Sequence, residues 1–130
     1  MSNCKNATTE TALDQNQDPD FDETTYFPFK LMDGKYRSLF MHDTHMLPRT
    51  HIFEEREGWL GNGYDWTSIA YVLLAEKLPE LEDKITFDPE AGMFSARGTK
   101  EDLRILGTAM QKLYNDEEMI RDLLSRAEID

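Results

Sequence analysis

The segment Gly61-Asn62-Gly63-Tyr64-Asp65-Trp66, which runs straight into Thr67-Ser68-Ile69-Ala70-Tyr71-Val72-Leu73-Leu74, constrains this chain more than any other. Two glycines allow left-handed or tightly turned backbone without a Cβ clash. Two large aromatics follow within four residues, at the point where a helix must begin. Asp65 is the expected N-cap, its carboxylate accepting the backbone N–H of Thr67 or Ser68. Trp66, Ile69, Ala70 and Leu73 then fall at i, i+3, i+4 and i+7, the spacing of a buried stripe. Trp66 is read as core. Tyr64 and Trp59 precede the helix and are expected to face solvent. Gly61, Gly63, Asp65 and Trp66 thus form a structural motif, flanked by aromatics available for recognition.

Around this segment the pattern alternates between strand and helix periods. Phe27, Phe29 and Leu31 alternate with Pro28, Lys30 and Met32, which predicts a strand from Tyr26; Pro28 cannot donate to a ladder and places it at an edge. Asp33-Gly34 is a two-residue hairpin signal, with Lys35 to Met41 returning. His42 to Pro48 reads as a loop, and the alternation of Thr50, Ile52 and Glu54 predicts a third strand. Pro79 ends the first helix. Ile85 and Phe87, a turn over Asp88 to Gly92, and Met93 to Ala96 predict a second hairpin. Thr99 with Asp102 marks a helix start, whose apolar face is Leu103, Leu106, Met110 and Leu113. Asn115 with Glu118 marks another, completed by Ile120, Leu123, Leu124 and Ala127. The expected fold is α+β, an antiparallel sheet of about five strands with helices packed on one face.

Residues 1–25 carry six acidic side chains and one Lys, with only Leu13 and Phe21 as sizeable apolar groups. Such a segment buries too little apolar surface to offset its conformational entropy. It is expected to be a disordered acidic leader, dispensable for folding, ahead of one α+β domain over residues 26–130.

Charge narrows the function. The 26 acidic against 14 basic residues give a net charge of −12. That field repels nucleic acid and anionic membranes and attracts basic partners. The first twenty residues hold no apolar signal-like run, and no stretch approaches the ~18 apolar residues of a membrane span. The single cysteine, Cys4, forms no internal disulfide, so a cytoplasmic location is expected.

Three histidines, His42, His45 and His51, lie within ten residues, and His42-x-x-His45 next to Asp43 has the donor types of a metal site. A zinc site needs three or four ligands held by a second shell, and a loop beside Pro48 is a poor place for one. A small metal-dependent hydrolase using His42, His45, Glu54 and Glu55 therefore stands as the alternative to a binding protein, as does an acidic scaffold for another basic protein. No glycine elbow surrounds Ser68 or Ser95, and no phosphate-binding loop is present. Glu54, Glu55 and Glu57 with Trp59 and Tyr64 are instead the expected partner-binding surface: aromatic anchors beside charge are what interfaces use.

The same Gly61–Trp66 motif, with Ile69-Ala70 and the stretch Lys84-Ile85-Thr86-Phe87-Asp88-Pro89-Glu90-Ala91-Gly92-Met93-Phe94, resembles the bacterial polymorphic-toxin immunity proteins of the immunity protein 51 family. The resemblance runs from about Tyr26 to Ala127. It implies a small cytoplasmic α+β protein without a cofactor or metal that binds a cognate toxin domain and occludes it stoichiometrically. Many such toxins act on nucleic acid and are basic, which suits an acidic inhibitor.

Overall fold

The computed structural model describes residues 25–32 and 37–128. In chain order it contains β1 (Lys30–Met32), β2 (Ser38–His42), α1 (Asp43–Met46), a 3-10 turn (Leu47–Arg49), α2 (Thr50–Phe53), α3 (Gly63–Lys77), a second 3-10 turn (Pro79–Leu81), β3 (Thr86–Phe87), β4 (Met93–Arg97), α4 (Lys100–Tyr114) and α5 (Glu117–Leu124). The strands form one sheet in the order β1-β2-β4-β3. Every pairing is antiparallel, with Leu31 opposite Leu39, Leu39 opposite Ala96, and Met41 opposite Phe94. Because side chains alternate across the pleat, Leu31, Leu39, Met41, Phe94 and Ala96 share one face, and all five are buried. Helix α4 packs on β1 and β2, and α3 packs on β4. The fold is α+β.

The sheet has four strands where about five were expected. The predicted third strand, Thr50 to Glu55, is helical over Thr50–Phe53 and a turn over the last two residues, and the predicted loop before it is α1 and the first 3-10 turn. Two adjacent residues, Ile52 and Phe53, are both buried. A strand would point them to opposite faces, whereas a helix turns both inward, with Met46 seven residues earlier on the same side as Phe53. Pro48, read as a loop residue, occupies the first turn of the 3-10 segment, where its missing N–H has no bond to lose. The first strand is also shorter than its alternation suggested. Residues 25–28 form a turn, closed by Phe29 N–H donating to the Tyr26 carbonyl at 2.8 Å, and pairing begins at Lys30. The edge position of β1 agrees with expectation. The Asp33-Gly34 turn and the leader through residue 24 lie outside the described residues.

Helix α3 is the central element, burying Trp66, Thr67, Ser68, Ile69, Ala70, Leu73 and Leu74. Its two buried hydroxyls are satisfied within the helix: Thr67 Oγ1 donates to the Gly63 carbonyl at 2.9 Å and Ser68 Oγ to the Tyr64 carbonyl at 3.2 Å. Trp66 is fully buried, 5.2 Å from Phe53 and stacked at 5.8 Å on Tyr114. Tyr114, at the end of α4, ties two further segments, α1 and the first 3-10 turn, to this point. Its hydroxyl donates to the His45 carbonyl at 2.7 Å, its carbonyl accepts from Arg49 Nε at 2.9 Å, and the Arg49 guanidinium lies 4.3 Å from its ring centre. Burial pushes the Tyr114 phenol above its usual range, opposed by the Arg49 charge.

Helices α4 and α5 are capped as short polar residues dictate. Thr99 Oγ1 accepts from the Asp102 N–H at 3.1 Å, as expected. The last cap is Asp116, which accepts from the Met119 N–H at 3.1 Å; it displaces the predicted Asn115 by one position.

Candidate partner-binding surface

The glycine–aromatic motif is built differently from its expected form. The N-cap of α3 is Asn62, whose Oδ1 accepts from the Asp65 N–H at 3.0 Å. Asp65 is not the cap. It lies in the first turn and its carboxylate reaches back, accepting from the Leu60 N–H at 2.6 Å and the Gly61 N–H at 2.7 Å. The pair resembles a capping box, with the acid three residues after the cap, but the acid accepts from the two residues before the cap and not from the cap's own N–H. Asp65 is buried, so this carboxylate fixes the turn.

The two glycines serve different needs. Gly61 has φ of +79°, a left-handed conformation that side chains disfavour. Gly63 has no such φ; it is there because of a close approach. A Cβ at that position would meet the Glu90 carbonyl oxygen at 1.9 Å and the Met93 carbonyl oxygen at 2.4 Å. The start of α3 rests directly on the β3–β4 turn, and Gly63 N–H donates to the Ala91 carbonyl at 2.9 Å. This contact joins the two stretches on which the family resemblance rests.

The turn held by Asp65 decides which aromatics reach solvent. Trp59 is only 7% exposed and its ring lies 6.5 Å from Phe53, which corrects the expectation that it faces water. The left-handed turn folds it back onto α2, and its neighbour Leu60, 63% exposed, takes the outward place. Tyr64 is 42% exposed, as expected. An apolar residue before a glycine carries no sequence signal for pointing outward, and Leu60 could not have been found from the sequence.

Glu54, Glu55 and Glu57 are all exposed beyond α2. Glu55 has an internal role as well. Arg121 of α5 donates from Nε to Glu55 Oε1 at 3.0 Å and from an η nitrogen to Glu55 Oε2 at 2.9 Å. The other η nitrogen donates to Glu118 at 2.7 Å, and Glu117 lies 3.7 Å away. This hydrogen bonding holds the Glu55 carboxyl below the usual carboxylate range. A depressed carboxyl supports the fold at pH above that range and loses its effect as pH falls through it. Glu54 and Glu57 are exposed as well, and Glu117 and Glu118 of α5 share Arg121 with Glu55.

The histidines are not gathered. The His42 ring packs on Phe40 at 5.2 Å, the His45 ring on Phe27 at 5.1 Å, and His51 Nε2 lies 3.8 Å from Glu117. Among the described residues no group of three or more His, Cys, Asp or Glu side chains is placed to hold a metal ion. No helix among them is long and apolar enough to cross a membrane.

The exposed side chains of this small α+β domain include the carboxylates of Glu54, Glu55 and Glu57 and the apolar groups of Leu60 and Tyr64. The model of the family "Immunity protein 51" matches residues 30–129, and the chain belongs to that family. No curated protein matches it. No solved structure matches it.

Proposed function

We propose that this protein binds and neutralises a cognate bacterial toxin domain by stoichiometric occlusion, protecting the producing cell from the cytoplasmic side. Membership of an immunity family over residues 30–129 carries the reading. The surface around Glu54, Glu57, Leu60 and Tyr64, with Glu117 and Glu118 alongside, is the docking site. Exposed apolar side chains within a negative field suit a basic toxin, and neither nucleic acid nor membrane is a partner. Glu55 and Trp59 act there through the scaffold, by clamping α5 and by filling the space under the turn. The protein works without catalysis or cofactor, and the unit that binds is the domain over residues 26–130.

The decisive experiment is co-expression with the toxin encoded beside it. Growth is expected to be rescued, and the purified pair should form a one-to-one complex with a Kd on the order of nanomolar or below. Its association rate should fall steeply as salt rises, while dissociation changes less. Unrelieved killing by the toxin would refute the inhibitor reading. An association rate indifferent to salt would remove charge steering from it.

A further inference from the structure

Beyond the docking surface at its start, helix α3 borders a second feature. A cleft of about 480 Å³ opens between α3 and the chain that follows α5. Tyr71, Val72 and Ala75 line its α3 side, with Ala127 opposite. Tyr71 is 56% exposed and is braced edge-on by Phe87 of β3 at 4.9 Å. It is therefore a positioned ring that still shows surface to solvent. Carboxylates of Glu76, Glu82 and Glu128 also line the cleft, and Arg126 is the cation among its described lining residues.

Arg126 is already engaged on both sides. Its η nitrogens donate to Glu76 Oε1 at 2.8 Å and to the two Asp122 carboxylate oxygens at 3.0 and 2.9 Å, and its Nε also donates to Glu76. Those two acids offset Arg126 and the Lys77 charge that also acts on them, and Glu82 and Glu128 add two further carboxylates that leave the cleft with a net negative field. An apolar floor with an exposed aromatic ring and the exposed carboxylates of Glu82 and Glu128 suits a cation on an aliphatic stem. The stem buries against Val72, Ala75 and Ala127, and the charge faces Tyr71 and the acids.

The cleft also continues the docking surface. Tyr64, Tyr71 and Ala75, at i, i+7 and i+11, are exposed along one side of α3, with Ser68 buried between the first two. Tyr64 and Tyr71 are two turns apart, roughly 10 Å along the axis. A single partner covering about 800 Å² spans both.

We propose that this cleft receives a lysine or arginine side chain, borne on an apolar segment of the toxin, as a second anchor of the inhibitory interface. The inference rests on the toxin reading above, and the experiment separates the two. Binding of the purified toxin domain is measured by calorimetry for the parent chain, Tyr71→Ala, and the pair Glu82→Lys with Glu128→Lys. Thermal midpoints serve as the folding control. Both variants are expected to keep the parent midpoint and to weaken binding by at least about tenfold. The charge-reversal pair lies on exposed side chains, and it decides the question alone if Tyr71→Ala loses its fold. Parent-like affinity in folded charge-reversal protein overturns the cleft assignment and leaves the inhibitor reading standing. Failure of the parent chain itself to bind the toxin overturns both.

Discussion

Replacing Gly63 by alanine is expected to destabilise the protein by about 3–5 kcal/mol, near the upper end for a single added methyl group. The new Cβ would lie 1.9 Å from the Glu90 carbonyl oxygen and 2.4 Å from that of Met93. Both obstacles are backbone, so no rotamer change relieves them. The start of α3 must lift from the β3–β4 turn, weakening the Gly63–Ala91 hydrogen bond and disturbing the Glu90–Met93 bridge. Gly92→Ala is the control in the same turn: its Cβ would meet only Asp43 Oδ2, at an ordinary 3.7 Å. That variant should remain within about 1 kcal/mol of the parent. Urea denaturation of both measures the difference, and equal midpoints would mean that the turn moves freely relative to α3.

Trp66→Ala is expected to cost about 3–5 kcal/mol as well, by a different mechanism. Removing the indole opens a cavity among Phe29, Phe53 and Tyr114, which meet its ring from three sides. Some of that loss is offset. Trp66 Nε1 is a buried polar atom without a hydrogen-bond partner among the described residues, and its deletion removes an uncompensated donor. Trp59→Ala belongs with it as a stability variant, since its side chain is buried against Phe53. Truncating the exposed Leu60 or Tyr64 should instead weaken the toxin complex with little change in stability. Chemical denaturation and binding measured together sort these outcomes. A Trp66→Ala protein that unfolds at the parent's denaturant concentration would refute the packing account.

The errors of the sequence reading have a common physical origin. Thr50, Ile52 and Glu54 alternate like a strand, but three alternations fit one turn of helix equally well. The choice was made by Met46, Ile52 and Phe53 all finding the core together. Asp65 and Asn62 are both good capping residues, three apart. Which one caps depended on a turn that delivers the Leu60 and Gly61 N–H groups to the acid. The candidate surface was legible in its charges and in Tyr64. It was not legible in Trp59, which is buried against expectation, or in Leu60, which faces outward beside it. Tyr114, the junction of Trp66, His45 and Arg49, has no local signature because its contacts reach 65 and 69 residues along the chain.

By itself the sequence determined what near neighbours control. Helical spacing placed α3, α4 and α5, Thr99 capped α4, the hairpin-linked apolar runs made the antiparallel sheet, and the charge was countable. These depend on contacts within a few residues or on composition. Only the tertiary structure decided what depends on distant partners. It spent Glu55 on an arginine 66 residues away, buried Trp59 while exposing Leu60, and required glycine at position 63 because another turn's carbonyls lie against it. Those outcomes are set by which surfaces meet, and no local pattern records that.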